Sequence, residues 1–259
     1  MVRIIDVCSG KGGVGKTTVA ANLGLALQNF GKKVAVVDCN LTTSHLGLLF
    51  GFHNYPITLN NFLKGEARME DIIYMHHSGL RIVPASLELR DLIDINPSNF
   101  ENKLKEVFQD FDIVLLDSAP GLGREALMAL QVANEVLFVA NPFITSLVDV
   151  VKCNQLRNSL ESKPIAIGII LNRMRKKAYE ISVDEATQFC ELPVIGVVPE
   201  DEKILESTNN RSLVTLSYRN SNSSKAFFKI AAKLVGIEYE KESFLDKIKK
   251  VFGKHRSKM

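Results

Sequence analysis

Tryptophan is missing from this chain of 259 residues, and cysteine is scarce, with four in all. Cys8, Cys39, Cys153 and Cys190 stand far apart, and no two form a CxxC pair. They are expected to be reduced, buried small hydrophobes of a cytosolic protein rather than metal ligands. His76 and His77 are adjacent, but no second group of ligands stands at zinc spacing, so that segment reads as loop. Long apolar runs are also lacking. Nothing approaches the roughly 20 residues that a membrane-spanning helix needs. The apolar run at residues 4–7 is too short for a secretory leader and runs straight into glycines, so it reads as a strand. A large net charge is absent too, the sum being +3.

That small sum hides an uneven distribution. From Lys241 onward there are seven basic residues against Glu242 and Asp246, which leaves residues 1–240 with 25 basic and 27 acidic groups. The body is near neutral and the tail is basic. A nucleic-acid stripe across the body is disfavoured, and the tail is the expected electrostatic contact.

What is present is the composition of a globular protein, 46% hydrophobic and 24% charged, at the upper end of single-domain length. Short β-branched runs at residues 4–8, 34–38, 80–84, 113–117, 136–140, 165–171 and 194–198 predict strands. Helical patterns fall at 16–29, 97–109, 125–132, 146–160, 182–189, 201–208 and 225–235. Near-continuous apolar strands alternating with helices predict an α/β fold with a mostly parallel, doubly wound sheet. Ligands of such sheets gather at the carboxyl ends of the strands, so the residues just after each strand are the ones to read.

After the first strand comes Gly10-Lys11-Gly12-Gly13-Val14-Gly15-Lys16-Thr17-Thr18, which opens a helix. It satisfies the P-loop pattern in the strand–loop–helix context that the pattern requires. Glycines let successive backbone N–H groups face phosphate oxygens, and the helix N-terminus adds partial positive charge. Lys16 is the lysine for the β- and γ-phosphates, and the Thr17 hydroxyl is a ligand for Mg²⁺. The nucleotide is expected to be ATP with Mg²⁺.

Lys11 is not needed by an ordinary P-loop. The K-G-G-x-G-K-T-T form resembles the deviant Walker A motif of the MinD/ParA family. The resemblance continues through Val36-Val37-Asp38, Asn40 and Leu46-Gly47-Leu48, similar to the family's first switch. Residues 112–121, ending Asp117-Ser118-Ala119-Pro120-Gly121, resemble its Walker B strand and second switch. Asn141-Pro142, Leu171-Asn172-Arg173 and Val198-Pro199-Glu200-Asp201 stand where the family has comparable motifs, so most of residues 1–235 is covered. Within the family the chain is most similar to the archaeal-type MinD group.

That resemblance implies a homodimer with ATP between the subunits, Lys11 crossing to the partner's nucleotide. It implies Mg²⁺ held near Thr17, Asp38 and Asp117, with Asn172 on the adenine and Pro199, Glu200 and Asp201 beside the base. For Asn172 a plain strand-end cap is the alternative. One position departs from the family: its first switch reads Asp-x-Asp, and Asn40 replaces the second Asp, the residue that orients or activates water. An amide cannot accept a proton but can still position water. Lys11, Lys16 and Asn40 are thus the candidate catalytic residues, with slow hydrolysis expected.

Residues 239–259 form a separate unit from the expected ATPase domain at 1–238. At about 100° per residue, Phe244, Leu245, Ile248, Val251 and Phe252 share one face, with Asp246, Lys247, Lys249, Lys250 and Lys254 opposite. This is the pattern of a C-terminal amphipathic helix lying in a membrane interface, and it is similar to the membrane-targeting helix of MinD proteins. Packing on the domain's own core, a solvated tail, a calmodulin-like partner groove and a nucleic-acid contact are the competing readings.

The expected function is a MinD-like ATPase on the cytoplasmic side of the cell membrane, recruiting an unidentified protein partner to place a division site or polar structure. A ParA-like nucleoid-binding ATPase, a flagellar-placement ATPase and a weakly hydrolysing ATP-gated scaffold are the alternatives. Iron–sulfur carriers on this fold need cysteines that residues 118–123 lack.

Overall fold

The computed structural model describes residues 2–51, 55–93, 95–96 and 100–239. Among these, the strands are β1 (Arg3–Cys8), β2 (Val34–Cys39), β3 (Tyr74–Met75), β4 (Arg81–Val83), β5 (Ile113–Ser118), β6 (Glu135–Ala140), β7 (Ile165–Met174) and β8 (Val194–Pro199). They form one sheet in the order β3-β4-β2-β5-β1-β6-β7-β8. Every pairing is parallel except β3 with β4 at one edge. The central strands are buried along nearly their whole length, which requires cover on both faces.

Helices provide it: α1 (Lys16–Asn29), α2 (Leu46–Leu49), α3 (Leu59–Lys64), α4 (Phe100–Val107), α5 (Arg124–Val132), α6 (Ile144–Ser159), α7 (Val183–Cys190), α8 (Glu202–Asn209), α9 (Val214–Ser217) and α10 (Asn222–Val235). On one face α1 and α10 pack Leu23, Leu27, Phe227 and Ile230 against Ile5, Val7, Val36 and Leu115. On the other, α3, α4 and α5 cover β2 and β5, while α6 and α7 cover β6 and β7. Capping residues set the helix ends. Ser182, Asp201 and Ser221 accept backbone N–H groups at the starts of α7, α8 and α10, and Gly236 ends α10 with φ of 68°.

All seven expected strands form, and the expected doubly wound parallel sheet is the fold. β7 runs three residues beyond its expected end, to Met174. It accommodates an irregularity at Gly168, where φ is +145° and a Cβ would meet the Pro193 carbonyl at 2.3 Å. Segments α2, α3, α9 and β3 are too short to leave a periodic signal. The helix expected at 97–109 is α4, and residues 97–99 lie outside the described residues. The four cysteines are free and buried. His76 lies between β3 and β4, where its ring packs 5.2 Å from that of Phe50 and its Nδ1 bonds the Ser78 hydroxyl at 2.8 Å. The tail residues Phe244, Leu245, Ile248, Val251 and Phe252 lie outside the described residues. Among those described, no helix is long and apolar enough to cross a membrane.

Candidate functional site

The loops that follow β1, β2, β5, β7 and β8 converge at the carboxyl edge of the sheet, as the strand order demands. β1 lies beside β5, and β5 beside β2, so Asp38 and Asp117 become register partners. The phosphate loop leaves β1 at Ser9 and enters α1 at Lys16. Gly13 and Gly15 have φ of +79° and +95°, left-handed values that ordinary side chains resist. Gly10 is fixed differently: a Cβ there would lie 2.7 Å from the Asp149 Cβ on α6. The loop thus needs glycine for close approach at Gly10, for backbone shape at Gly13 and for both at Gly15.

Lys16 is almost wholly buried, and its ammonium donates to the Ser9 hydroxyl at 2.9 Å, which in turn donates to the Lys11 carbonyl at 2.8 Å. Burial pushes its pKa down, opposed chiefly by the nearby Asp117 carboxylate. Asp117 is 1% exposed, with the Thr17 hydroxyl beside it and Oδ1 left without a hydrogen-bond partner. Asp38 accepts hydrogen bonds from the Ser44 hydroxyl at 2.6 Å, the Asn40 N–H at 3.0 Å and the Leu46 N–H at 3.3 Å. Burial raises the pKa of both carboxylates, and the Asp38 charge raises that of Asp117 further. Two crowded, dehydrated carboxylates, a threonine hydroxyl and an orphaned oxygen suit a divalent cation, which would relieve the crowding. The residues present therefore fit Mg²⁺.

The structure brings Asn172 to the loop rather than leaving it free at the strand end. Its Nδ2 donates to the Val14 carbonyl at 2.7 Å, and the side chain is 3% exposed. Beside it, Gly15, Thr18, Pro199, Glu200 and Asp201 line a hollow of about 170 Å³, where a planar base could sit next to the loop. Asp201 is committed elsewhere. Its carboxylate caps α8 through the Lys203 N–H and holds the Ser223 N–H and hydroxyl at the start of α10. Glu200 lies 3.8 Å from Arg175.

Lys11 is exposed on the loop and not buried beside Lys16. Asn40 is half-buried and occupied: Nδ2 donates to the Thr43 carbonyl at 2.7 Å, and Oδ1 accepts from the Thr43 hydroxyl at 3.1 Å. Thr42 in the same turn bonds Glu125 at the start of α5, joining the two loops that flank Asp38 and Asp117.

Several residues of the site escaped the motif reading. Ser9 and Ser44 give no sequence signal, because a serine hydroxyl acquires its role only from what folds next to it. Asp6 did carry one that went unused, as the single charged residue between Ile4 and Cys8 of β1. It is fully buried, with neither carboxylate oxygen in a hydrogen bond of good geometry although the Ser118 hydroxyl lies beside it. Burial lifts its pKa to about 7 against the opposing influence of Ser118 and Lys16.

Comparison with known proteins adds to this geometry. A family profile described as an AAA domain matches residues 2–162. The chain is 38% identical to an uncharacterised ATP-binding protein of Methanocaldococcus jannaschii, over 98% of each. It is 31% identical to the septum site-determining protein MinD of Buchnera aphidicola, over 98% of this chain and 100% of that one. Among solved structures it is similar to the cell division ATPase MinD of Pyrococcus furiosus, with a TM-score of 0.87 and 34% identity over 91% of this chain and 99% of that one. It is similar also to the septum site-determining protein MinD of Pyrococcus horikoshii, complexed with Mg-ADP, with a TM-score of 0.86 and 34% identity over 90% and 96% of the two chains.

Proposed function

This chain belongs to the MinD family, and on that premise we propose that it binds ATP with Mg²⁺, pairs with a second copy across the nucleotide, and docks on an anionic membrane to position a division site or polar structure. The observation that carries the reading is the phosphate loop, with Gly13 and Gly15 in left-handed conformations, Lys16 buried against Ser9, and Asn172 bracing Val14.

The loop N–H groups and Lys16 hold the phosphates, and the hollow beside Asn172 takes the adenine. Thr17, Asp38 and Asp117 would hold Mg²⁺, directly or through water. The ion, when bound, offsets negative charge on the phosphate oxygens. Lys11 is free to reach across to a partner's nucleotide, and a cation supplied in trans makes ATP part of the interface. Exposed Leu122, Phe143 and Ile144 follow β5 and β6 at the same carboxyl edge and favour an interface there. α10 ends at Val235 with a glycine cap, and the tail given to 239–259 starts from a ring, Tyr239, that still packs on Phe30 and Phe228 of the ATPase domain at 1–238.

Weak docking by one tail becomes firm for two, through effective concentration that can raise avidity 10²–10⁴-fold, roughly. ATP then governs occupancy of the inner membrane face without contacting the tail. Hydrolysis is slow because the Asn40 amide is tied to Thr43 and cannot take a proton from water. The same observation favours the second reading, an ATP-gated scaffold with negligible turnover.

Gel filtration with Mg²⁺ and either ATP or ADP tests the pairing. A dimer with ATP and a monomer with ADP is expected, and monomers under both conditions would overturn the reading. Phosphate release from the natural protein and Asn40→Asp tests the chemistry. Faster release from Asn40→Asp is expected, whereas equal or slower release would remove the role given to Asn40.

A further inference from the structure

β8 is the end strand of the sheet, and the groove between it and α10 is lined by five basic residues and one acidic one. Lys225, Lys229 and Lys233 recur every four residues along α10, and Arg175 and Lys176 stand at the carboxyl end of β7. Glu200 is the acidic residue among the lining groups, and it faces Arg175. Among the described residues none of the three α10 lysines enters an ion pair, and Lys229 and Lys233 are exposed. Lysines needed only for solubility would be interspersed with carboxylates, as Lys103 and Lys105 of α4 are with Glu101 and Glu106. Eight residues of helix extend about 12 Å and the i, i+4, i+8 positions turn by only about 80° in all, so the three lysines form an oblique stripe on one side of α10 that an anionic surface can meet.

The groove also ends where the tail begins. Tyr239 is one of its lining residues, and its ring packs against Phe30 and Phe228 with centroids 5.7 and 6.0 Å away. Phe244 follows five residues later, so it stands at most about 18 Å along the chain from this anchored residue. A tail seated in a membrane therefore holds the lysine row close to the same plane. We propose that Lys225, Lys229 and Lys233, with Arg175 and Lys176, form a second membrane contact that faces anionic lipid headgroups and sets the orientation of the domain. The proposal rests on the membrane reading of the tail. A nucleic acid would also suit lysines, but the body as a whole is slightly acidic, and a groove that ends at Tyr239, where the tail begins, favours the lipid surface.

Each neutralised lysine close to an anionic surface lowers binding about fivefold, so Lys225→Gln/Lys229→Gln/Lys233→Gln is expected to lower it about a hundredfold per subunit. The assay is co-sedimentation of the full chain with ATP and Mg²⁺, using phosphatidylcholine vesicles with and without phosphatidylglycerol. The expected loss is confined to the phosphatidylglycerol vesicles. Lys103→Gln/Lys105→Gln/Lys163→Gln, equal in charge but away from the groove, is expected to bind nearly as the natural protein does. A Gly/Ser linker of about 15 residues after Tyr239 adds roughly 20 Å of reach. In that background the triple substitution at the groove is expected to have little further effect.

Undiminished binding by the groove variant, with Phe252→Glu still abolishing it, would overturn the lysine contact and leave the tail reading standing. Equal losses in the groove and control variants would overturn it as a specific surface. No pelleting of the natural protein would remove both readings. Loss of duplex DNA retention with no loss on vesicles would overturn the lipid assignment in favour of nucleic acid.

Discussion

Gly13 and Gly15 share a left-handed backbone but not their surroundings. Nothing lies within 4 Å of a Cβ added at Gly13, whereas one at Gly15 would be 2.4 Å from the Asn172 amide nitrogen. Gly13→Ala is expected to cost about 1–2 kcal/mol, the price of the backbone alone. Gly15→Ala is expected to cost more and to dislodge Asn172, so urea unfolding and nucleotide titration should separate the two variants. Matching losses in both assays would mean that Asn172 gives way freely. Asp6 governs a different property. Between the ordinary carboxylate value of 3.8 and about 7, the folded chain keeps a proton at Asp6 that the unfolded chain releases. Stability from this group therefore falls as pH rises through that window, by up to about 1.4 kcal/mol per pH unit. Asp6→Val is expected to flatten the fall and to raise stability at pH 8, read by urea unfolding at several pH values. Some slope should persist, because Asp38 and Asp117 are shifted in the same direction. At this scale the sequence displayed the glycines, Lys16 and Thr17 plainly, whereas Asp6, though the one charge in its apolar run, was passed over. It could not display Ser9, Ser44 or the Asn40–Thr43 turn, whose meaning depends on the position of a neighbour in space.

Between elements, single hydrogen bonds join parts of the site that lie far apart in the chain. Asn172 on β7 holds the Val14 carbonyl, and Asn22 on α1 accepts the Thr215 N–H and hydroxyl of α9 at 3.1 and 2.9 Å. Asn172→Ala leaves the Val14 carbonyl without its partner at a buried place, at a cost of about 1–3 kcal/mol. Weaker binding of ATP and ADP alike is expected from a calorimetric titration, since the loop that holds their shared phosphates is loosened. A loss restricted to adenine over guanine nucleotides would instead place the side chain on the base. The long elements were legible because β2, β5 and β6 are continuous apolar runs and α1 opens on the phosphate loop and stops just before Gly31. The short ones were not. α3, with six residues, and β3, with two, are held by tertiary contacts and leave too few positions for a period to emerge. The extension of β7 to Met174 was hidden for another reason, since Asn172 and Arg173 look like a loop until the Val14 contact gives the asparagine a buried partner.

For the whole molecule, the strand order separates two regions. The nucleotide loops gather at the carboxyl edge, whereas Arg3, at the opposite end of β1, binds Glu135 and donates to the Leu234 carbonyl near the end of α10. The near-neutral body and basic tail were readable from charge alone, but the lysine groove was not, because Arg175 and Lys176 meet α10 only once β8 has become the sheet's edge. α1 connects the two regions. It starts at Lys16, and Phe30 just past its end packs edge-on against Tyr239 and Phe228. Its 14 residues extend about 21 Å. A helix of that length behaves as a stiff strut, so tightening its first turn around phosphate should steady the aromatic trio at its far end. Hydrogen exchange of the Ile237 amide, bonded to the Ala232 carbonyl at 2.9 Å, is expected to slow when Mg-ATP is added. Unchanged exchange would mean that each subunit keeps its two ends mechanically independent.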